Sequence, residues 1–254
     1  MAALETIDWP ESSLAPRVAS MGWLILLGLF AGALTTLAGL GGGLLMTLAL
    51  SLLWDPTRAL AVAAPALLVG NVHRVWLYRA YIQKRLTWTF VAGAFPGALV
   101  GGLLAVSLPE MVLRVLLVAA AGLAVARELE LFRWRPGPRS AVPASFAAGA
   151  LTATSGGGGL LLGPLLLASG LKLERFVVTA SLTAVSMHIA RLAAYGAGGL
   201  VNAATLRDAA VLAGCILAGN LLGRRGRGLL DEKRGHTLTW AVLMLCVVLS
   251  LAGL

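Results

Sequence analysis

The sequence predicts an all-α polytopic membrane protein made of two inverted repeats, each a glycine-broken helical hairpin followed by three transmembrane helices. Three observations carry that prediction: scarce charge, charge-free runs of membrane length, and a glycine-rich segment that occurs twice. Of the 254 residues only 12% are charged and 59% are hydrophobic, against about a quarter and about half in ordinary globular chains. The runs Val18–Trp54, Leu86–Pro109, Ser140–Leu171 and Gly235–Leu254 carry no Asp, Glu, Lys or Arg. Several approach or pass the ~20 residues of a spanning helix, and none alternates every second residue as a membrane β-strand would.

Residues 1–19 read as an N-terminal tail. Glu5, Asp8 and Glu11 precede its first basic residue, Arg17, so it lacks the positive start of a signal peptide and the first helix is expected to stay. Repeat 1 covers 20–126. Its opening run, Val18–Trp54, is 37 residues, about 55 Å as helix, too long for one crossing of a ~30 Å core and slightly short for two. A hairpin of unequal helices is expected there, with "GLGGG" (Gly39–Gly43) at the bend, and three further segments near 59–78, 87–107 and 111–126. Residues 127–140, containing "ELELFRWRPGPR", read as a cytoplasmic linker. Repeat 2 covers 141–254, with segments near 141–155, 159–171, 176–195, 207–223 and 236–253.

The repetition is visible residue by residue. "GALTTLAGLGGGLLM" (32–46) returns as "GALTATSGGGGLLLGP" (149–164), and Arg58, Arg74 and Tyr78 return as Arg175, Arg191 and Tyr195. All three are displaced by 117 positions, while the glycines match at 116. Five crossings per repeat, an odd number, turn the second copy upside down. With the intramembrane Arg74 and Arg191 set aside, the other eighteen basic residues then divide fourteen to one side and four (Arg17, Arg58, Arg114 and Arg207) to the other. Counting each hairpin as one crossing divides them nine to nine. The positive-inside rule favours the inverted arrangement, with both termini outside the cytoplasm. The net charge of +9 follows from the same bias, so nucleic acid is not an expected partner. The surrounding partner is membrane lipid, and homo-oligomerisation is left open.

Irregular backbone at membrane depth is tolerated where it is buried in protein or lines a water-filled cavity. Inverted-repeat transporters use such broken helices to build a substrate site near the midplane. Helix starts after Gly41, Gly42 and Gly43, and after Gly157, Gly158 and Gly159, would present N–H groups and a positive dipole end to an anion. The competing reading is that these glycines only let helices pack closely. "AGLGGGLLM" and "SGGGGLLLGPLL", each opening a half of about 115 residues, resemble the signature of the TauE/SafE family of sulfite-exporter-like permeases. Halves of that family read G-x-G-G-G, four residues, then proline; the second half keeps Pro164, and the first departs with Leu48. The resemblance covers nearly the whole chain. It implies export of small sulfur oxyanions or organosulfonates from the cytoplasm across a bacterial inner membrane.

The polar candidates sit in two matching stripes. Asn71, Arg74 and Tyr78 fall at i, i+3 and i+7 on one helix face, and His188, Arg191 and Tyr195 repeat the pattern; His73 points off that face. An intramembrane arginine is a functional hypothesis by default, and guanidinium is a permanently charged fork of donors suited to an oxyanion. Two alternatives stand beside this: both arginines snorkel to the headgroups, or they serve as entrance and exit rather than as one site. All eleven acidic residues fall in loops, tails or segment ends, so no carboxylate relay for coupling is visible. An interior-negative potential expels anions by about 2.3 kcal/mol per charge per 100 mV, which favours export by uniport or channel-like conduction.

The rival classes are weaker. A structural or partner-binding membrane protein gives no reason for paired broken spans. An intramembrane serine protease built on Ser155 and His188 lacks the glycine before the serine, where Ala153 stands two residues earlier. Cys215 and Cys246 form no CxxC or metal spacing and lie outside the glycine loops, which disfavours a cysteine relay. They read as packing residues, and no enzyme activity, cofactor or metal is expected. Trp88, Trp134 and Trp240 read as interfacial aromatics.

Overall fold

In the computed structural model the described residues are 14–38, 42–128, 131, 140–171, 173–226 and 244. Among them the chain forms nine α-helices and no strand: α1 (Leu14–Ala38), α2 (Gly42–Ser51), α3 (Pro56–Leu77), α4 (Lys84–Ser107), α5 (Glu110–Glu128), α6 (Ala141–Ser155), α7 (Gly159–Ala168), α8 (Leu173–Ala197) and α9 (Ala203–Gly226). Gly41, residues 1–13, most of the linker and all but residue 244 of the last expected segment lie outside the described residues. Four helices are long and apolar enough to cross a membrane: α3, α4, α8 and α9. Large apolar side chains such as Trp23, Trp76, Trp88 and Leu104 face outward, the surface a bilayer solvates.

Local signals explain the boundaries. Asp55 caps α3 by accepting from the Arg58 N–H (2.7 Å), with Pro56 at the first helical position, where a missing N–H costs nothing. α6 stops at Gly156, whose φ is +73° and whose N–H returns to the Thr152 carbonyl, a left-handed cap that glycine adopts without strain. Asn202 starts α9 through a reciprocal exchange with Thr205 (2.7 and 3.0 Å).

The hairpins are unequal as expected, but their second arms are shorter than a span. α2 and α7 each have ten residues, about 15 Å, half of a ~30 Å core. Whether such a hairpin turns back at mid-depth or beyond, it returns the chain to the side it started from. Leu48 and Pro164 sit inside helices of the same length, so the missing proline does not alter the arm.

The helices pair across the repeats. α1 packs on α9, α6 on α4, α3 on both α8 and α9, and α8 on both α3 and α4. Every one of these pairs has a counterpart with the repeats exchanged, which is consistent with a pseudo-two-fold relation. Glycines set the distance. A Cβ at Gly149 would strike Ala94 O and lie 2.7 Å from Ala98 N, and one at Gly32 would strike Ile216 O and lie 3.1 Å from Asn220 N. The partners of Gly32 and Gly149 are thus displaced by 122 (94 to 216, 98 to 220), five more than the 117 of the hairpins. Gly93, Gly97 and Gly101 on α4 meet α6 backbone, and Gly219 and Gly223 on α9 meet α1 backbone, close approach of the kind small-xxx-small spacing allows. Cys215 lies against Gly28 in the same seam, a packing position.

Candidate anion site

α3 and α8 run antiparallel at the centre. Tyr78, at the end of α3, clusters with Val177 and Val178 near the start of α8. Tyr195, near the end of α8, clusters with Leu60 and Ala64 near the start of α3. Both polar stripes face into this pair. Asn71, Arg74, Tyr78, His188, Arg191 and Tyr195 are all buried, with Arg191 and Tyr195 fully so. Neither arginine snorkels out of the bundle. Arg74 and Arg191 lie toward opposite ends of the pair, with Asn71 and His188 inward of them.

The two arginines are incompletely satisfied. Arg191 Nη2 donates to the Leu60 carbonyl (3.0 Å), and its guanidinium sits 5.3 Å over the Tyr195 ring. Arg74 Nη2 donates to Asn71 Oδ1 (2.6 Å), and Asn71 in turn donates to the Leu67 carbonyl (2.7 Å). Nε and Nη1 of both arginines and Nδ1 of His188 are buried without a hydrogen-bond partner. An ionised group so placed costs several kcal/mol unless something neutralises it. No carboxylate among the described residues pairs with either arginine.

The glycine clusters meet each other. A Cβ at Gly43 would lie 3.1 Å from Gly156 O, and one at Gly156 2.8 Å from Gly43 O. The start of α2 is therefore in contact with the Gly156 turn that ends α6. Within each hairpin one glycine has a steric role: a Cβ at Gly42 would collide with Thr35, and one at Gly158 with Thr152, residues again 117 apart. Gly157 faces Ala120. Close packing thus accounts for Gly42 and Gly158, and the contact of the two breaks for Gly43 and Gly156. Gly159 opens α7; the surroundings of Gly41 lie outside the described residues.

Each break is tethered to an arginine helix. The Tyr195 hydroxyl donates to the Ala153 carbonyl in the last turn of α6, so the ring that lies beneath Arg191 also grips the approach to the Gly156 cap. On the other side Asn220, fully buried on α9, accepts from Thr36 Oγ1 (2.9 Å) and donates to the Gly70 carbonyl (3.1 Å). Its Nδ2 also lies 3.3 Å from His73 Nδ1, which explains why His73 turns away from the Arg74 face. Sequence reasoning missed Asn220, because its counterpart at a displacement of 122 is Ala98 and no polar echo marks it. Also unanticipated is a buried acid: Asp208 pairs with Arg58 (3.0 Å) across the repeats, with Arg58 4.4 Å over Trp54. Ser155 Oγ donates to its own helix at Leu151 O (2.9 Å), so it forms no pair with His188.

Residues 24–252 match the model of the family described as sulfite exporter TauE/SafE. The chain belongs to that family. Its membership and its long apolar helices make it a multi-pass membrane protein of an anion-exporter class. No curated protein and no solved structure matches the chain. Within the TauE/SafE frame the buried, partly unpartnered arginines are the feature that calls for a ligand.

Proposed function

We propose that this TauE/SafE protein moves a small oxyanion, sulfite or an organosulfonate, out of the cytoplasm across the bacterial inner membrane, by uniport or channel-like alternating access. Arg74 and Arg191 are its receiving groups. The observation that carries this reading is the pair of buried guanidinium groups, each with Nε and Nη1 unpartnered. An oxyanion supplies the acceptors and the opposite charge that the protein withholds, and guanidinium matches its geometry. Asn71 and His188, between the two arginines, offer the intermediate contacts, and the abutting glycine breaks offer loosened backbone at mid-depth. The repeats face opposite sides of the membrane, so the arginines meet the anion in series. The membrane potential drives a dianion outward without a coupling ion, by about 4.6 kcal/mol at 100 mV.

Proteoliposome efflux of sulfite, sulfate, sulfoacetate and chloride tests this directly. Sulfite or sulfoacetate should leave fastest, respond to voltage, and stop in Arg74→Ala and Arg191→Ala. Wild-type vesicles that release none of these ions would refute the function, and mutant rates equal to wild type would remove the two arginines. For the orientation, cysteines at 133 and 226 should label from one side and at 207 from the other.

A further inference from the structure

The two breaks and the two arginines are joined by different chemistry at equivalent places. Thr36 and Ala153 are 117 residues apart, each in the last turn before its glycine bend. Ala153 offers its carbonyl to the hydroxyl of Tyr195, whose ring lies under Arg191. Thr36 offers its hydroxyl to Asn220 Oδ1. The other end of the Asn220 amide holds Gly70 O, the carbonyl that in a regular helix also receives the Arg74 N–H. A Cβ at Gly70 would lie 2.5 Å from Ile216 Cγ2, so glycine at that position lets α9 come close enough for the amide to reach. Repeat 2 has no such amide, since Ala98 stands in its place.

We propose that Asn220 is a positioning residue of the anion site, doing for Arg74 what the Tyr195 hydroxyl does for Arg191: each locks an arginine-bearing helix to the approach of a broken hairpin. The inference rests on the anion-site reading above and goes beyond it, because neither group touches the anion. The amide has one acceptor and one donor edge, so it holds Thr36 and Gly70 at one separation and sets the depth of Arg74 relative to the bend. When the bend of repeat 1 moves, Arg74 moves with it.

Sulfite efflux from proteoliposomes, measured against internal sulfite concentration, tests this with Asn220→Ala, Thr36→Val, Thr36→Ser and Tyr195→Phe. A group that only stabilises the fold changes the amount of active transporter, and so the maximal rate, while a positioning group changes half-saturation. Asn220→Ala and Tyr195→Phe should each raise the half-saturating concentration about three- to tenfold, the scale of one or two hydrogen bonds, with the maximal rate per folded protein kept within about twofold. Thr36→Val should shift it in the same direction, Thr36→Ser should restore it, and the Thr36→Val/Asn220→Ala double variant should match Asn220→Ala alone. If Asn220→Ala does not fold, Thr36→Val and Tyr195→Phe carry the same comparison. Unchanged half-saturation with a reduced maximal rate, or additive single effects, would overturn the proposal. Arg74→Ala and Arg191→Ala run alongside: wild-type efflux from them defeats the anion site itself, whereas lost efflux beside an unshifted Asn220→Ala and Tyr195→Phe defeats the positioning role alone.

Discussion

Arg74 and Arg191 occupy equivalent positions in the two repeats and live in different surroundings. Arg191 is fully buried, reaches across to the Leu60 carbonyl of the other repeat and rests on Tyr195. Arg74 keeps a trace of exposure and bonds within its own helix, to Asn71. The displacement of 117 that relates Leu60 to Val177 would give Arg74 a matching cross-repeat acceptor at the Val177 carbonyl, and that bond is absent. The lesson is that duplication conserves the charge and the face, while each copy settles its own hydrogen bonds. Under the alternating-access cycle proposed above, such inequality is expected of any single state, since the two halves would exchange roles between states.

The largest effect separates the arginines themselves. Arg191→Ala and Arg74→Ala should both cut sulfite efflux about 100-fold or more, the scale of charged hydrogen bonds lost in a dry site. Only Arg191→Ala should also lower the melting temperature in detergent, because only it removes a bond between repeats. Equal melting temperatures would break the comparison.

The hairpins, by contrast, should behave alike. Gly42→Ala and Gly158→Ala each drive a methyl into a threonine of the opposite arm and should each destabilise the protein by about 1–3 kcal/mol. A difference of more than about 1 kcal/mol in equilibrium unfolding would show that the bends are not equivalent.

The ends of the bundle are unequal again. Arg58 and Asp208 bridge the repeats at one end, while the matching positions (displaced by 117 and 122) hold an exposed cation, Arg175, and a half-buried leucine, Leu86. Asp208→Leu copies the other end. Arg58 is 42% exposed, so the loss should be about 1 kcal/mol or less and should shrink in high salt. A salt-independent loss would assign Asp208 a packing role instead. Smallest of all, Gly214→Ala adds a methyl where nothing lies within 4 Å and should change stability by less than about 1 kcal/mol.

Much of this was legible in advance because apolar length and glycine breaks are local signals. The expected segments 141–155 and 87–107 fall on α6 and α4 within a few residues, and the stripes of Asn71 and His188 do share buried faces. Asn220 was not legible, since "AGNLL" reads as one polar residue in an apolar helix and its repeat partner is alanine. The burial of Asp208 was hidden for a similar reason: a carboxylate one turn into a helix looks like a segment end until Arg58 arrives from the other repeat.

From its residues alone this protein is a helical, twice-copied membrane chain with a bend in each copy and an arginine on each central helix. Those properties depend on spacing within a few turns and on the cost of placing charge in hydrocarbon. Only the tertiary structure decided that α1 lies on α9 and α6 on α4, that the start of α2 touches the Gly156 turn, and which donors of each guanidinium are left unpaired. Those outcomes depend on contacts between residues more than a hundred positions apart, where close glycine packing selects the partner and no local pattern records the choice.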